Sequence, residues 1–230
     1  MIVIDFFGYP GAGKSTLMSM IDDPDIVKWI DLPPLRRLDI VKHLFASSFF
    51  WKNLILMLRV SWISGFHGTR QRNQSLLKGL KGKMKNLEVI LHFIYNAERF
   101  SGKYKIYVVE KGPVSTLPVR SGVRGYRIVE RFLDRLVEIY PYSILYFYSD
   151  APSLMRNMRR RMTEKDRGVL NSAHPERRIR KRKKEMERGI ERVEDKLMHV
   201  AYIKTDERDL DANLKKVQKE LQKIKKKAGV

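Results

Sequence analysis

Ile2-Val3-Ile4-Asp5-Phe6-Phe7 runs directly into Gly8-Tyr9-Pro10-Gly11-Ala12-Gly13-Lys14-Ser15, and these fourteen residues decide how the rest of the chain is read. The first six form a short, nearly continuous apolar run of the kind carried by a strand buried on both faces. The next eight satisfy G-x-x-x-x-G-K-[ST] in full. Glycines in such a loop let the backbone wrap a phosphate without Cβ collisions and aim several N–H groups, with the start of the following helix, at the anion. The spacing predicts a nucleoside triphosphate site. Gly8, Gly11, Ala12 and Gly13 supply its backbone, Lys14 reaches the β- and γ-phosphates, Ser15 is a magnesium ligand and Thr16 lies near the α-phosphate. A motif of this kind names the donor and leaves the reaction open.

Outward from the loop, Ser15-Thr16-Leu17-Met18 starts a short helix that Asp22-Asp23-Pro24-Asp25 ends near Ile21. Four more strands are predicted. They are Ile26 to Ile30, closed by Asp31-Leu32-Pro33-Pro34; Lys105 to Glu110, followed by Lys111-Gly112-Pro113; Ser143 to Tyr148, ending in Ser149-Asp150-Ala151-Pro152; and Val200 to Lys204, ending at Thr205-Asp206. Ile128, Phe132, Leu136 and Ile139 recur at helical spacing between Tyr126 and Tyr140, and Leu210 to Lys227 reads as a basic amphipathic helix. Leu38 to Phe66 is helical and so apolar that Ser48, Lys52 and Arg59 form its one polar strip. Arg70 to Lys85, with lysines around Gly79 and Gly82, reads as a basic loop at an acceptor site or a solvated linker. Strands alternating with helices imply one α/β domain over residues 1–230, a parallel sheet in a three-layer arrangement, with a helical insertion at about 38–100.

The 230 residues carry 47 Lys plus Arg against 26 Asp plus Glu, a net charge of +21. With 43% apolar residues the chain has enough hydrophobic surface for a core, which argues against a wholly disordered basic protein. The absence of cysteine excludes disulfide frameworks, thiolate metal sites and cysteine nucleophiles. The five histidines are scattered without metal-ligand spacing. The N-terminus lacks the basic stretch and cleavage site of a signal peptide, and charges interrupt the most apolar window, so the expected location is cytoplasmic.

Together these residues resemble the P-loop kinase group that contains thymidylate kinase and the deoxynucleoside kinases. The loop at Gly8 to Ser15, the strand ending in Glu110-Lys111-Gly112, the strand ending in Asp150-Ala151-Pro152 before an Arg-rich helix, and the late strand-helix pair carry the resemblance. It implies a P-loop NTPase fold, three-layer α/β/α, with a five-stranded parallel sheet in the order 2-3-1-4-5 and an Arg-rich lid at about 156–180. Members more often carry Asp-Arg-Tyr or Glu-Arg-Ser where this chain has Glu110-Lys111-Gly112. A loop of the type F-x-G-x-P-G-A-G-K-S before a strand ending in Glu-x-Gly is also similar to kinases of polysaccharide clusters.

Glu110 has a physical rationale of its own. A carboxylate at the end of a strand beside a phosphate-binding loop can join Ser15 in holding Mg2+, or accept the proton of an attacking hydroxyl. Asp31 is the second candidate base; it resembles the deoxynucleoside kinase position where a Glu stands before Pro. Arg156 and Arg160, four apart on one helical face, can clamp a migrating phosphoryl group, as the resemblance to a lid implies.

The expected activity is an ATP- and Mg2+-dependent phosphotransferase acting on a small acceptor, by resemblance a nucleoside or nucleotide, with a sugar or lipid-linked sugar open. A triphosphate and a small acceptor do not account for all the charge. Ala151 to Arg192 has 15 basic and 6 acidic side chains, and Trp51 to Ile90 has 8 and 1. RNA or an anionic membrane surface is therefore a second expected partner, and a polynucleotide kinase or RNA-binding ATPase a rival function; a homodimer is compatible with either.

Overall fold

The computed structural model describes residues 1–32, 45, 47–66, 76–110, 112, 123–206 and 209–230. Five strands, β1 (Ile2–Gly8), β2 (Ile26–Lys28), β3 (Ile106–Val109), β4 (Tyr142–Tyr148) and β5 (His199–Lys204), form one sheet in the order β2-β3-β1-β4-β5. Every pairing is parallel, with Val3 opposite Tyr107 on one side and Tyr142 on the other. This is the α/β class and the strand order expected from the sequence.

β3 is buried along its whole length, and β1 and β4 as far as their last residues, the burial that parallel strands need when helices cover both faces. Side-chain alternation sorts the core into two halves. Phe6 meets Phe147 on one face, with ring centroids 4.7 Å apart. On the other, Tyr107 and Tyr142 receive Phe93. Phe93 belongs to α3 (Leu76–Phe100), which packs with α2 (Ser48–Phe66); α4 (Val123–Val137) packs against α2 as well. The short α1 (Lys14–Ser19) packs against β1 and against the C-terminal α8 (Leu210–Ala228), which also lies on β5. Three helices follow β4 in series: α5 (Ala151–Arg161), α6 (Glu164–Leu170) and α7 (Pro175–Glu191).

Two local expectations need correction. The second strand stops at Lys28, and Trp29–Asp31 forms a 3-10 turn instead of continuing to Ile30. Leu76 to Lys85 is neither loop nor linker but the first part of α3. Leu77, Leu80, Met84, Leu87 and Leu91 keep helical spacing through the glycines, and Ile90, Phe93, Ile94 and Ala97 extend the apolar face into the core, which outweighs the helix cost of Gly79 and Gly82. Residues 38–44 and 46 of the apolar segment, residues 70–75 of the basic one, and Lys111 lie outside the described residues.

Candidate functional site

β1 ends at Gly8, where a Cβ would stand 2.2 Å from the carbonyl oxygen of Phe147 on β4. Only glycine lets the strand leave the sheet there. The loop then turns through Gly11 and Gly13, both at positive φ, and the Ala12 amide donates to the Tyr9 carbonyl. Tyr9 is buried, which pushes its phenol up, while Arg178 and Arg182 of α7 pull it the other way and so mark α7 as a neighbour of the loop. Lys14 is also buried, and its ammonium donates to the carbonyls of Gly8 at 3.2 Å and Tyr9 at 3.1 Å. The cation is thereby held against the loop's own backbone instead of extending into solvent.

Ser15 follows, exposed at the start of α1, and its Oγ donates to Glu110 Oε2 at 2.8 Å. The structure thus joins two residues 95 positions apart that the sequence analysis paired as candidate magnesium ligands. Among the described residues no cluster of three His, Cys, Asp or Glu could hold a metal. A hydroxyl and one carboxylate are nevertheless a donor set that fits Mg2+, a hard cation that keeps most of its waters and takes one or two protein oxygens plus substrate phosphates.

The strand beside Glu110 carries a residue that sequence reasoning passed over. Asp5 is fully buried in the middle of β1. Its carboxylate accepts from the Tyr142 hydroxyl at 3.0 Å and from the Gly112 amide at 3.4 Å. The Gly112 contact ties the chain just after Glu110 to the central strand. A Cβ on Gly112 would come within 2.3 Å of the Tyr142 oxygen and 2.6 Å of Asp5 Oδ2, so any larger residue there forces one of these buried side chains to shift. The available signal was a carboxylate inside an otherwise apolar strand, a placement that burial makes costly unless partners are waiting.

α5 approaches the loop from the other side. Asp150 caps it, accepting from the Ser153 amide at 2.7 Å, and that bond chiefly holds the Asp150 carboxyl below its usual range. One turn on, Asn157 Nδ2 donates to the Gly11 carbonyl at 2.9 Å, a direct strut between helix and loop. Of the arginines on this helix, Arg156 donates to Ser153 Oγ at 2.8 Å. Arg160 is exposed. Arg161, not favoured from sequence, grips Asp166 through two bonds of 2.9 and 2.6 Å, which chiefly raise its pKa, with the Glu110 charge adding to the shift. Asp166 also closes a capping box with Thr163, so the α5–α6 corner is locked.

Arg156 faces elsewhere. With Asp150, Ser153, Lys204, Thr205, Asp206 and Lys216 it lines a cavity of about 400 Å³ at the C-terminal ends of β4 and β5. Asp31 ends the 3-10 turn after β2, is exposed and pairs with Lys28 at 3.1 Å; among the described residues no hydrogen bond or ion pair joins it to Ser15 or Glu110. Thr16 is exposed on α1 beside Ser15.

Comparison with protein-family models and with curated proteins finds no match to this chain.

Proposed function

We propose that this protein is an ATP- and Mg2+-dependent phosphotransferase of the P-loop type. The observation that carries the reading is the 2.8 Å bond from Ser15 to Glu110, which sets a hydroxyl and a carboxylate together at the mouth of a glycine loop whose lysine is already in place. Loop amides and Lys14 bind the donor's phosphates. Ser15 and Glu110 would hold a magnesium ion, which would supply charge neutralisation for the donor's phosphates. The cavity beside Arg156 receives the nucleoside end, since it lies at the strand ends where α/β sheets bind ligands.

In the transfer step the acceptor oxygen bonds to the γ-phosphorus, the bond to the β-phosphate oxygen breaks and ADP leaves. The acceptor's proton passes to Glu110, or to Asp31 if an acceptor bridges the two. Arg161 and its neighbour Arg160 form the lid that offsets charge on the moving group, while Arg156 lines the nucleoside cavity. A nucleoside or nucleotide is the first acceptor class to test and a sugar the next. The experiment is γ-phosphate transfer from labelled ATP to parallel pools of nucleosides, nucleoside monophosphates, sugars and short RNA. Labelled product in one pool fixes the acceptor class; release of phosphate alone in every pool rejects a small-acceptor kinase.

One observation favours the RNA-associated ATPase as second reading. Arg177, Lys181, Lys184 and Arg188 lie in a row along α7, opposite its buried Ile179, Met186 and Ile190, and all four are exposed with no carboxylate partner among the described residues. RNA affinity that falls steeply as salt rises would support it, because neutralised phosphates release counterions.

A further inference from the structure

Four of the ten large hydrophobic side chains exposed among the described residues cluster at α2: Phe45 at 63%, Trp51 at 50%, Ile55 at 68% and Leu58 at 47%. Trp51, Ile55 and Leu58 fall within an arc of about 60° on the helix. The opposite side, with Asn53, Met57 and Val60, is buried, and α2 packs there against α3 and α4. Phe45 joins the outer face through its ring, 5.3 Å from that of Trp51, and its carbonyl accepts the indole N–H at 2.9 Å. An apolar helix face is normally enclosed; among the described side chains of α2 the face of Trp51, Ile55 and Leu58 is exposed.

Charge indicates what covers the other side. Lys52 and Arg59 are exposed along one edge of the stripe, and α2 contains no acidic residue. Between Asp39 and Glu88 the sequence has nine Lys and Arg and no Asp or Glu. A second copy of the chain would bring these uncompensated cations against their equivalents. RNA would match the cations but leave Ile55 and Leu58 in water. An anionic bilayer matches both, taking the apolar side chains into the acyl boundary, the indole at the headgroup level and the cations against lipid phosphates. Among the described residues no helix is long and apolar enough to cross a membrane, so α2 would lie in the interface plane.

We infer that α2 docks the protein on an anionic lipid surface through Phe45, Trp51, Ile55 and Leu58, with Lys52 and Arg59 on headgroup phosphates. The inference does not depend on the phosphotransferase reading.

The test is co-sedimentation of the full chain with phosphatidylcholine vesicles, with and without phosphatidylglycerol. Expected is binding that requires phosphatidylglycerol, that falls at least tenfold in the Ile55→Ser/Leu58→Ser variant, and that loses much of its lipid-charge dependence in Lys52→Gln/Arg59→Gln. The substituted side chains are exposed, and circular dichroism confirms that each variant keeps its helices. No binding to either vesicle, or equal binding by wild type and the serine variant, overturns the inference. So does a concentration-dependent dimer that the serine variant abolishes, since the face is then occupied by a second copy. Nucleotide turnover of the serine variant without lipid should match wild type, so failure of lipid binding and failure of phosphotransfer are read separately.

Discussion

The Gly112 amide donates to the Asp5 carboxylate at 3.4 Å, across 107 residues of chain, and the same carboxylate holds the Tyr142 hydroxyl. Strands β1 and β4 and the chain that follows β3 thus meet at one buried point beside the candidate site. A buried carboxylate is costly alone, and these two donors offset part of that cost. Its consequence is positional: Gly112, two residues after Glu110, is tied to the strand that leads into the loop carrying Ser15.

Gly112→Ala tests this directly. The added methyl would sit 2.3 Å from one oxygen and 2.6 Å from another, so something must move, and overpacking of this kind costs about 1–3 kcal/mol. The thermal midpoint should fall, and the magnesium concentration needed for turnover should rise as Glu110 is displaced. Gly102→Ala, where a Cβ meets nothing within 4 Å, is the control and should leave both unchanged. Equal midpoints for the two variants would show that the turn yields freely.

Glu110→Gln keeps the shape and can still accept from Ser15, but it removes the charge and the capacity to take a proton. Phosphotransfer should drop by about 10² or more, the size usual for a general base or a lost metal ligand, with the circular dichroism spectrum unchanged. Asp31→Asn should cost less, since Asp31 is exposed and held by Lys28. If the order of the two variants is reversed, Asp31 is the base.

Much of this was legible in the sequence because it is local. The loop is contiguous, and an apolar run before it and a helix start after it fix its setting, so Gly8 to Thr16 were readable without any partner. The strands announced themselves as short apolar runs with turn residues at their ends. Asp5 was not legible as an anchor because its partners lie 107 and 137 residues away and its neighbours Ile4 and Phe6 make it look like an interruption. The first part of α3, up to Lys85, reads as loop or linker in the sequence because Gly79, Gly82 and four lysines outvote an apolar periodicity whose value comes from packing on α2 and the sheet. Among the arginines, helical spacing grouped Arg156 with Arg160. The αL residue Met162, which ends α5 and folds α6 back, is what turns Arg161 onto Asp166.

The Arg161–Asp166 clamp predicts a pH dependence. The guanidinium's hydrogen bonds, assisted by Thr163 and opposed by burial, hold the Asp166 carboxyl at about 2, against an ordinary 3.8. A carboxyl whose folded pKa is depressed stabilises the fold above its unfolded pKa and loses that contribution as pH falls through the folded one. The full shift corresponds to about 2 kcal/mol; exposure of Arg161 to solvent reduces this to about 1–2 kcal/mol. Asp166→Asn should therefore lower the urea midpoint at pH 7, and its gap to wild type should narrow as the buffer is taken from pH 5 towards pH 3. A gap that stays constant over that range would mean that the clamp's charge contributes nothing.

Asn157→Ala separates donor binding from the chemical step. Asn157 reaches Gly11 at 2.9 Å from a helix that has its own cap at Asp150, so the variant should fold. What it loses is the strut that holds the middle of the loop, and one such bond is worth about 1 kcal/mol, or roughly fivefold in an equilibrium. ATP affinity, measured by titration calorimetry, should weaken by about that factor, while transfer at saturating ATP stays within about twofold of wild type, since Lys14, Ser15 and Glu110 are untouched. A large fall at saturation with unchanged affinity would instead place Asn157 among the groups that act during transfer, and would move the lid's contribution from α6 and Arg161 to the middle of α5.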